Sequence, residues 1–182
     1  MVGRSNVGKS TLINALVRQK IARVSAEPGK TRLANFYRVR RGNSPAMFLV
    51  DLPGYGYARR EQQAQSRDEV ARSFARLTDA YFARGKGHPE GTIPIGVVLL
   101  VDSRHPGLES DLEAWNWLTS TGQPCAVIGT KADKLSRTER TRHAREFESM
   151  FARPVTLLSA VSGEGLDELW KLIARLPNQT AA

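Results

Sequence analysis

At 182 residues with 41% apolar content, the chain is sized for one compact domain with a single core. Its longest apolar run, residues 95–101, is strand-length, and its first residues lack the basic, apolar and small-residue sections of a secretory leader, so a soluble, cytoplasmic, non-membrane protein is expected. One cysteine, Cys125, permits no internal disulfide, and 27 Lys and Arg against 18 Asp and Glu (net +9) point either to a polyanion such as nucleic acid or to arginines that only solvate helix faces.

The first motif stands at the start of the chain. Gly3-Arg4-Ser5-Asn6-Val7-Gly8-Lys9-Ser10 matches G-x-x-x-x-G-K-[ST] in full. The glycines let successive backbone N–H groups close around phosphates, Lys9 can reach the β- and γ-phosphates, and Ser10 can place its hydroxyl on Mg²⁺. Leu12, Ile13, Leu16 and Val17 recur at helical spacing, so a helix is expected from Lys9 or Ser10. Its positive dipole end favours an anion.

Gly29-Lys30-Thr31 follows Pro28 in a loop where Thr31 can deliver a hydroxyl to Mg²⁺ while a γ-phosphate is present. Alone it reads as a turn. Residues 32–40 alternate, turn residues occupy 41–45, and an apolar run covers 47–50, which predicts a β-hairpin. Asp51-Leu52-Pro53-Gly54 follows: a carboxylate at a strand's carboxyl end can hold a metal-bound water, and Gly54 can bring its N–H against the γ-phosphate.

Residues 66–82 carry Val70, Phe74, Leu77 and Tyr81 at helical spacing. A Gly- and Pro-rich stretch, 85–94, separates them from the buried-strand pattern at 95–101, and then come a helix at 108–118 and a short strand at 126–129. Thr130-Lys131-Ala132-Asp133 stands after that strand. Asp133 can accept hydrogen bonds from N1–H and the exocyclic amine of guanine, a donor pair adenine lacks, while Lys131 can lay its stem along the base. Ser136 and Glu139 form a capping box for a helix to about residue 150. A strand at 155–158 leads into Ser159-Ala160, which can offer backbone N–H to the guanine carbonyl, and a last helix is expected at 166–176. Alternating strands and helices imply a mostly parallel sheet covered on both faces, with ligand at the strands' carboxyl ends.

The five motifs in this order look like the translation-factor-related branch of small GTPases. Asp51-Leu-Pro-Gly-Tyr-Gly-Tyr-Ala58 beside the Gly3–Ser10 loop resembles the EngB family (YihA or YsxC) of bacterial ribosome-assembly GTPases, over nearly the whole chain. The resemblance implies an α/β, three-layer, doubly wound P-loop GTPase fold (a Ras-like G domain), with a mostly parallel six-stranded sheet and one antiparallel strand. It further implies one G domain over residues 1–176 with a short tail at 177–182, hydrolysis of GTP to GDP with Mg²⁺, a monomer, association with the large ribosomal subunit or its precursor, and a need for normal cell division and septation. No second G domain or appended RNA-binding domain is read here, unlike the Era-like and Der-like relatives. Only Met1 and Val2 precede Gly3, so the strand that anchors such a loop is expected to be truncated.

On this reading Lys9, Thr31 and Gly54 serve catalysis, and Ser10, Thr31 and Asp51 serve the metal. The nucleotide is met by Gly3 through Ser10, Gly29 through Thr31, Asp51 through Gly54, Thr130 through Asp133, and Leu158 through Ala160. Tyr55 occupies the position where Ras-like enzymes place a water-orienting glutamine, so slow intrinsic turnover is expected. Potassium-stimulated relatives carry an asparagine at the position of Asn6, which gives Asn6 two readings, a K⁺ ligand or a loop cap. Arg59, Arg60, Arg67, Arg72, Arg76 and Arg84 offer a surface to ribosomal RNA or a solvated helix face. His88, His105 and His143 are too scattered for zinc, and Trp115, Trp117 and Trp170 read as packing. Two other functions stay open: a nucleotide-dependent binding module with negligible turnover, and an ATP-using P-loop enzyme, which conflicts with Thr130 to Asp133.

Overall fold

The computed structural model describes residues 1–24, 34–55 and 94–178. In chain order these form β1 (Val2–Gly3), α1 (Lys9–Val17), β2 (Asn35–Val39), β3 (Met47–Asp51), β4 (Val97–Asp102), α2 (Glu109–Ser120), β5 (Cys125–Thr130), α3 (Arg137–Phe151), β6 (Thr156–Leu157) and α4 (Leu166–Arg175), with 3-10 turns at Ala132–Lys134 and Leu176–Asn178. The helix expected at 66–82, the arginines from Arg59 to Arg84, and Gly29, Lys30 and Thr31 lie outside the described residues.

β4 and β5 are buried at every position, as strands must be that have neighbours on both edges and helices on both faces. The period of two divides the core. Val97, Leu99 and Val101 pack with Val127 against Trp115 and Leu118 of α2 and Phe147 and Phe151 of α3. Val98, Leu100, Ala126 and Ile128 face the other way, onto Leu12 and Leu16 of α1 and Leu169, Trp170 and Ile173 of α4. This is the three-layer arrangement expected, and each fully buried Leu or Val in it contributes roughly 1.5–3 kcal/mol. All three tryptophans pack: Trp115 lies edge-on to Phe151, Trp117 rests against the α2 side core, and the Trp170 indole donates to the Leu16 carbonyl.

The parallel ladder runs β1-β4-β5-β6, and β2-β3 is an antiparallel hairpin with Asn35 opposite Asp51 and Val39 opposite Met47. The six strands therefore form two ladders. Hydrogen bonds around Met1 join them: the Met1 amine donates to the Val50 carbonyl (2.8 Å) and Leu52 N–H donates to the Met1 carbonyl (3.2 Å). That is the parallel pattern around Met1 and Asp51, so β3 lies beside β1 and β2 is the antiparallel outer strand.

Local chemistry sets several boundaries. Ser136 and Glu139 form the expected box, with Glu139 N–H on the Ser136 hydroxyl and Ser136 N–H on the Glu139 carboxylate. β6 is shorter than the 155–158 expected, because the Leu158 carbonyl is turned out of the ladder to accept Ala132 N–H (3.0 Å). Cys125 opens β5 instead of preceding it. The helical path continues past residue 176 to Asn178 as a tighter turn at Pro177, whose ring cannot continue an α-helix. β1, β4, β5 and β6 run parallel, so Arg4, Ser103, Lys131 and Leu158, the residues that follow them, gather along one rim.

Candidate functional site

The chain leaves β1 at Gly3 and turns through residues 4–8 before α1 begins at Lys9. Two residues take left-handed backbone to make that turn, Gly8 (φ 109°) and Asn6 (φ 62°), the former in a region where a side chain would be strained. Lys9 is nearly buried and folds its ammonium back into its own loop, donating to the carbonyls of Gly3 (2.9 Å) and Arg4 (3.1 Å). Burial pushes the Lys9 pKa down to about 8, against the opposing pull of the Asp51 carboxylate.

Asp51 ends β3 at 1% exposure and accepts a hydrogen bond from the Ser10 hydroxyl on Oδ2 (2.8 Å). Its Oδ1 is buried with no hydrogen-bond partner among the described residues. A carboxylate oxygen left unpaired beside a hydroxyl is the all-oxygen donor set that a hard cation takes, so these two residues fit Mg²⁺. Gly54 lies against the loop so closely that a Cβ there would stand 2.7 Å from Ser5 N and 3.0 Å from Lys9 Nζ. Only glycine fits.

The second half of the site forms at the ends of β5 and β6. The Ser159 hydroxyl, fully buried, donates to Asp133 Oδ1 (2.6 Å) and accepts the N–H groups of Val161 and Ser162. The Ser159 bond is the main reason the Asp133 carboxyl is held below its ordinary range, so the carboxylate is charged and oriented. Thr130 ties this half to the first, its hydroxyl 2.7 Å from the Val7 carbonyl and 3.1 Å from that of Val101. Lys131, in left-handed backbone (φ 63°), donates its ammonium to the Asn6 carbonyl (2.8 Å) and to Asp102 Oδ2 (2.9 Å).

The family model described as "50S ribosome-binding GTPase" matches residues 1–131. The EngB protein of Pelotomaculum thermopropionicum, described as a probable GTP-binding protein, is 42% identical over 183 aligned residues, covering 96% of this chain and 83% of the relative. This chain belongs to the EngB family. EngB of Thermotoga maritima gives 41% over 179 residues, 96% of this chain and 84% of the relative. Among solved structures, a probable GTP-binding protein EngB aligns at TM-score 0.63 with 20% identity, over 97% of this chain and 96% of that one. Aquifex aeolicus Era bound to GDP·AlF4⁻ aligns at TM-score 0.75 with 23% identity, this chain covering 96% of itself and 55% of the Era chain. Those two likenesses support the fold, a P-loop GTPase G domain, and the family makes this EngB protein a GTP-binding protein of the GTPase class.

In this EngB chain the motifs at Gly3 to Ser10, Asp51 to Gly54, Thr130 to Asp133 and Leu158 to Ala160 come together on the one rim, from sequence separations of up to 157 residues. Two carboxylates join them that the motifs do not contain. Asp102, the last residue of β4 and 3% exposed, accepts from Arg104 Nε (2.9 Å), Nη2 (2.7 Å) and N–H (3.1 Å) as well as from Lys131. Burial works against its charge, but these donors outweigh it and hold the carboxyl well below the usual range. The only signal in the sequence was a carboxylate ending a fully apolar strand. Asp111, buried in the first turn of α2, accepts from the Tyr55 hydroxyl (2.8 Å), with Arg4 Nε 3.5 Å away. Burial, reinforced by Asp111, drives the Tyr55 hydroxyl pKa well up. His143 is neither exposed nor near ligand spacing; its ring Nδ1 is 2.8 Å from the Ser103 carbonyl at the back of this rim. Among the described residues no helix is long and apolar enough to cross a membrane.

Proposed function

We propose that this protein binds GTP with Mg²⁺, hydrolyses it slowly to GDP and phosphate, and acts in the cytoplasm as a switch in assembly of the large ribosomal subunit, a step needed for normal cell division and septation. The observation that carries the nucleotide reading is the Asp133 carboxylate, fixed by Ser159 and roped to the phosphate loop through Thr130 and Lys131. A base held at Asp133 and phosphates held by the amides of residues 5–10 belong to one ligand. Guanine supplies the donor pair a fixed carboxylate can accept, and adenine would cover that carboxylate without supplying the pair, at a cost on the order of a few kcal/mol.

This chain's own residues do the following. Lys9 exchanges the Gly3 and Arg4 carbonyls for phosphate oxygens, whose negative charge favours its charged form. Ser10 and Asp51 would hold a Mg²⁺, with Thr31 the further ligand its motif suggests, and the ion would supply positive charge to the phosphates. Gly54 turns its N–H to the terminal phosphate. Tyr55 spends its hydroxyl on Asp111, so water must be oriented by another group; Asn6 with a bound K⁺ is the one we propose. The arginines from Arg59 to Arg84 supply the cationic face for ribosomal RNA.

Phosphate release under multiple turnover, with GTP and Mg²⁺, separates this reading from a binding module with negligible turnover. Displacement of labelled GDP by ATP at similar concentration would defeat the guanine assignment. Equal rates in matched KCl and NaCl would remove K⁺. Co-sedimentation with large subunits that is indifferent to Arg59→Ala/Arg60→Ala and to salt would remove the RNA contact.

A further inference from the structure

Tyr55 is held at both ends. Its carbonyl accepts the Ser5 N–H of the phosphate loop (3.0 Å) in a parallel bridge with Arg4, and its hydroxyl donates to Asp111 Oδ1 (2.8 Å). Asp111 is itself fixed, with its N–H on the Leu108 carbonyl (2.9 Å), its side chain almost fully buried, and Arg4 Nε 3.5 Å from the same Oδ1. Phosphate loop, the segment carrying Gly54, and α2 therefore meet on one carboxylate.

The position of that segment matters for the ligand. Ser5 N–H is one of the loop amides a phosphate can use, and here it is given to the Tyr55 carbonyl. Beside it, Gly54 packs directly on the loop, so closely that a Cβ on it would stand 2.7 Å from Ser5 N and 3.0 Å from Lys9 Nζ, the ammonium that a phosphate must draw out. On the reading that Gly54 meets the terminal phosphate, a third phosphate displaces the Gly54–Tyr55 segment from Ser5, whereas a diphosphate leaves it in place. The bond between Tyr55 and Asp111 opposes that lift from outside the cradle.

We propose that Asp111, acting through the Tyr55 hydroxyl, is a positioning residue that biases the site toward the diphosphate and sets the discrimination between GDP and GTP. The inference rests on the reading of residues 3–10 as the phosphate site. A bias of this kind is a difference in affinity between two ligands for two loop positions, so removing the tie acts on one ligand only.

The test is the ratio of dissociation constants for GDP and a non-hydrolysable β,γ-imido GTP analogue, both with Mg²⁺, in the parent, Tyr55→Phe and Asp111→Ala. GDP affinity should stay within about twofold, and the analogue should bind about three- to tenfold more tightly in each variant, the range one buried hydrogen bond provides. A ratio unchanged in folded variants, equal weakening of both ligands, or a shift toward GDP overturns the inference. Failure of the parent to bind GDP at all would instead defeat the underlying site reading. Should neither variant fold, fluorine NMR of the parent labelled with 3-fluorotyrosine carries the test. With Tyr37, Tyr57 and Tyr81 replaced by Phe, the one remaining fluorotyrosine signal must move with the GTP analogue and stay with GDP, and a signal that responds alike to both overturns the inference.

Discussion

Asp102→Asn removes one charge from beneath the base motif while keeping the shape of the side chain. In the parent, one carboxylate at 3% exposure accepts Arg104 Nε and Nη2 and Lys131 Nζ, all between 2.7 and 2.9 Å. Hydrogen bonds to charged groups contribute about 1.5–3 kcal/mol each when buried. The Arg104 and Lys131 side chains keep 41% and 29% exposure and can return to water, so the loss belongs near the bottom of that range, about 2 kcal/mol in all. For a domain this size that is a fall in Tm of ~5 °C. The sign of the pH dependence follows from the direction of the shift. A carboxyl held below its unfolded value of 3.8 stabilises fully above that pH and loses the contribution as pH falls toward its folded value. Urea unfolding of parent and variant from pH 7 to pH 3 should therefore show a gap that is constant down to about pH 4 and narrows below it. A variant as stable as the parent at pH 7, or a gap that does not narrow in acid, would refute the reasoning.

Thr130→Val keeps the shape and removes the hydroxyl facing the Val7 and Val101 carbonyls; GDP affinity measured by calorimetry should fall about tenfold, ~1–2 kcal/mol, because the phosphate loop loses its tie to β5. Lys9 has its pKa lowered to about 8 in the ligand-free site and must be charged against phosphate, so GDP affinity should hold between pH 7 and 7.5 and then decline above pH 8, approaching tenfold per pH unit; affinity that is flat to pH 9 would contradict this. Cys125 is 5% exposed with burial raising its thiol pKa to about 11, so iodoacetamide at pH 8 should leave the native protein unmodified by mass spectrometry and add one group only after unfolding.

Much of the fold was legible because it is written in local periodicity. The alternation through β2 and β3, the unbroken apolar run of β4, and the Ser136 and Glu139 cap each specify their element within a few residues of chain. The motifs at residues 3–10 and 130–133 were legible for a related reason, since their residue types and spacing are dictated by phosphate and guanine chemistry. Asp102 and Asp111 were not. Each is an ordinary carboxylate in sequence, one ending a strand and one in a helix's first turn where acidic residues are common, and each is tied to the site by a partner 29 or 56 residues away. Tyr55 could be placed after Gly54 from sequence, but the direction of its hydroxyl depends on α2 packing above β4, which no local pattern encodes.

These hidden contacts explain how a loop of five residues can answer to both ends of a nucleotide. Asn6 and Val7 give their carbonyls to Lys131 and Thr130, so the middle of the phosphate loop is held by the base motif. Ser5 gives its N–H to Tyr55, and Arg4 faces Asp111, so the start of the loop is held by the segment that carries Gly54 and by α2. The two sets of ties use adjacent residues and opposite chemistry. Carbonyls of the loop are consumed on the base side, which leaves no phosphate contact displaced when guanine binds. An amide of the loop is consumed on the other side, and that amide is one a phosphate can claim. Base recognition can thus be permanent while the contact with Tyr55 is exchangeable, and a protein that must keep its nucleotide while registering the loss of one phosphate needs that division.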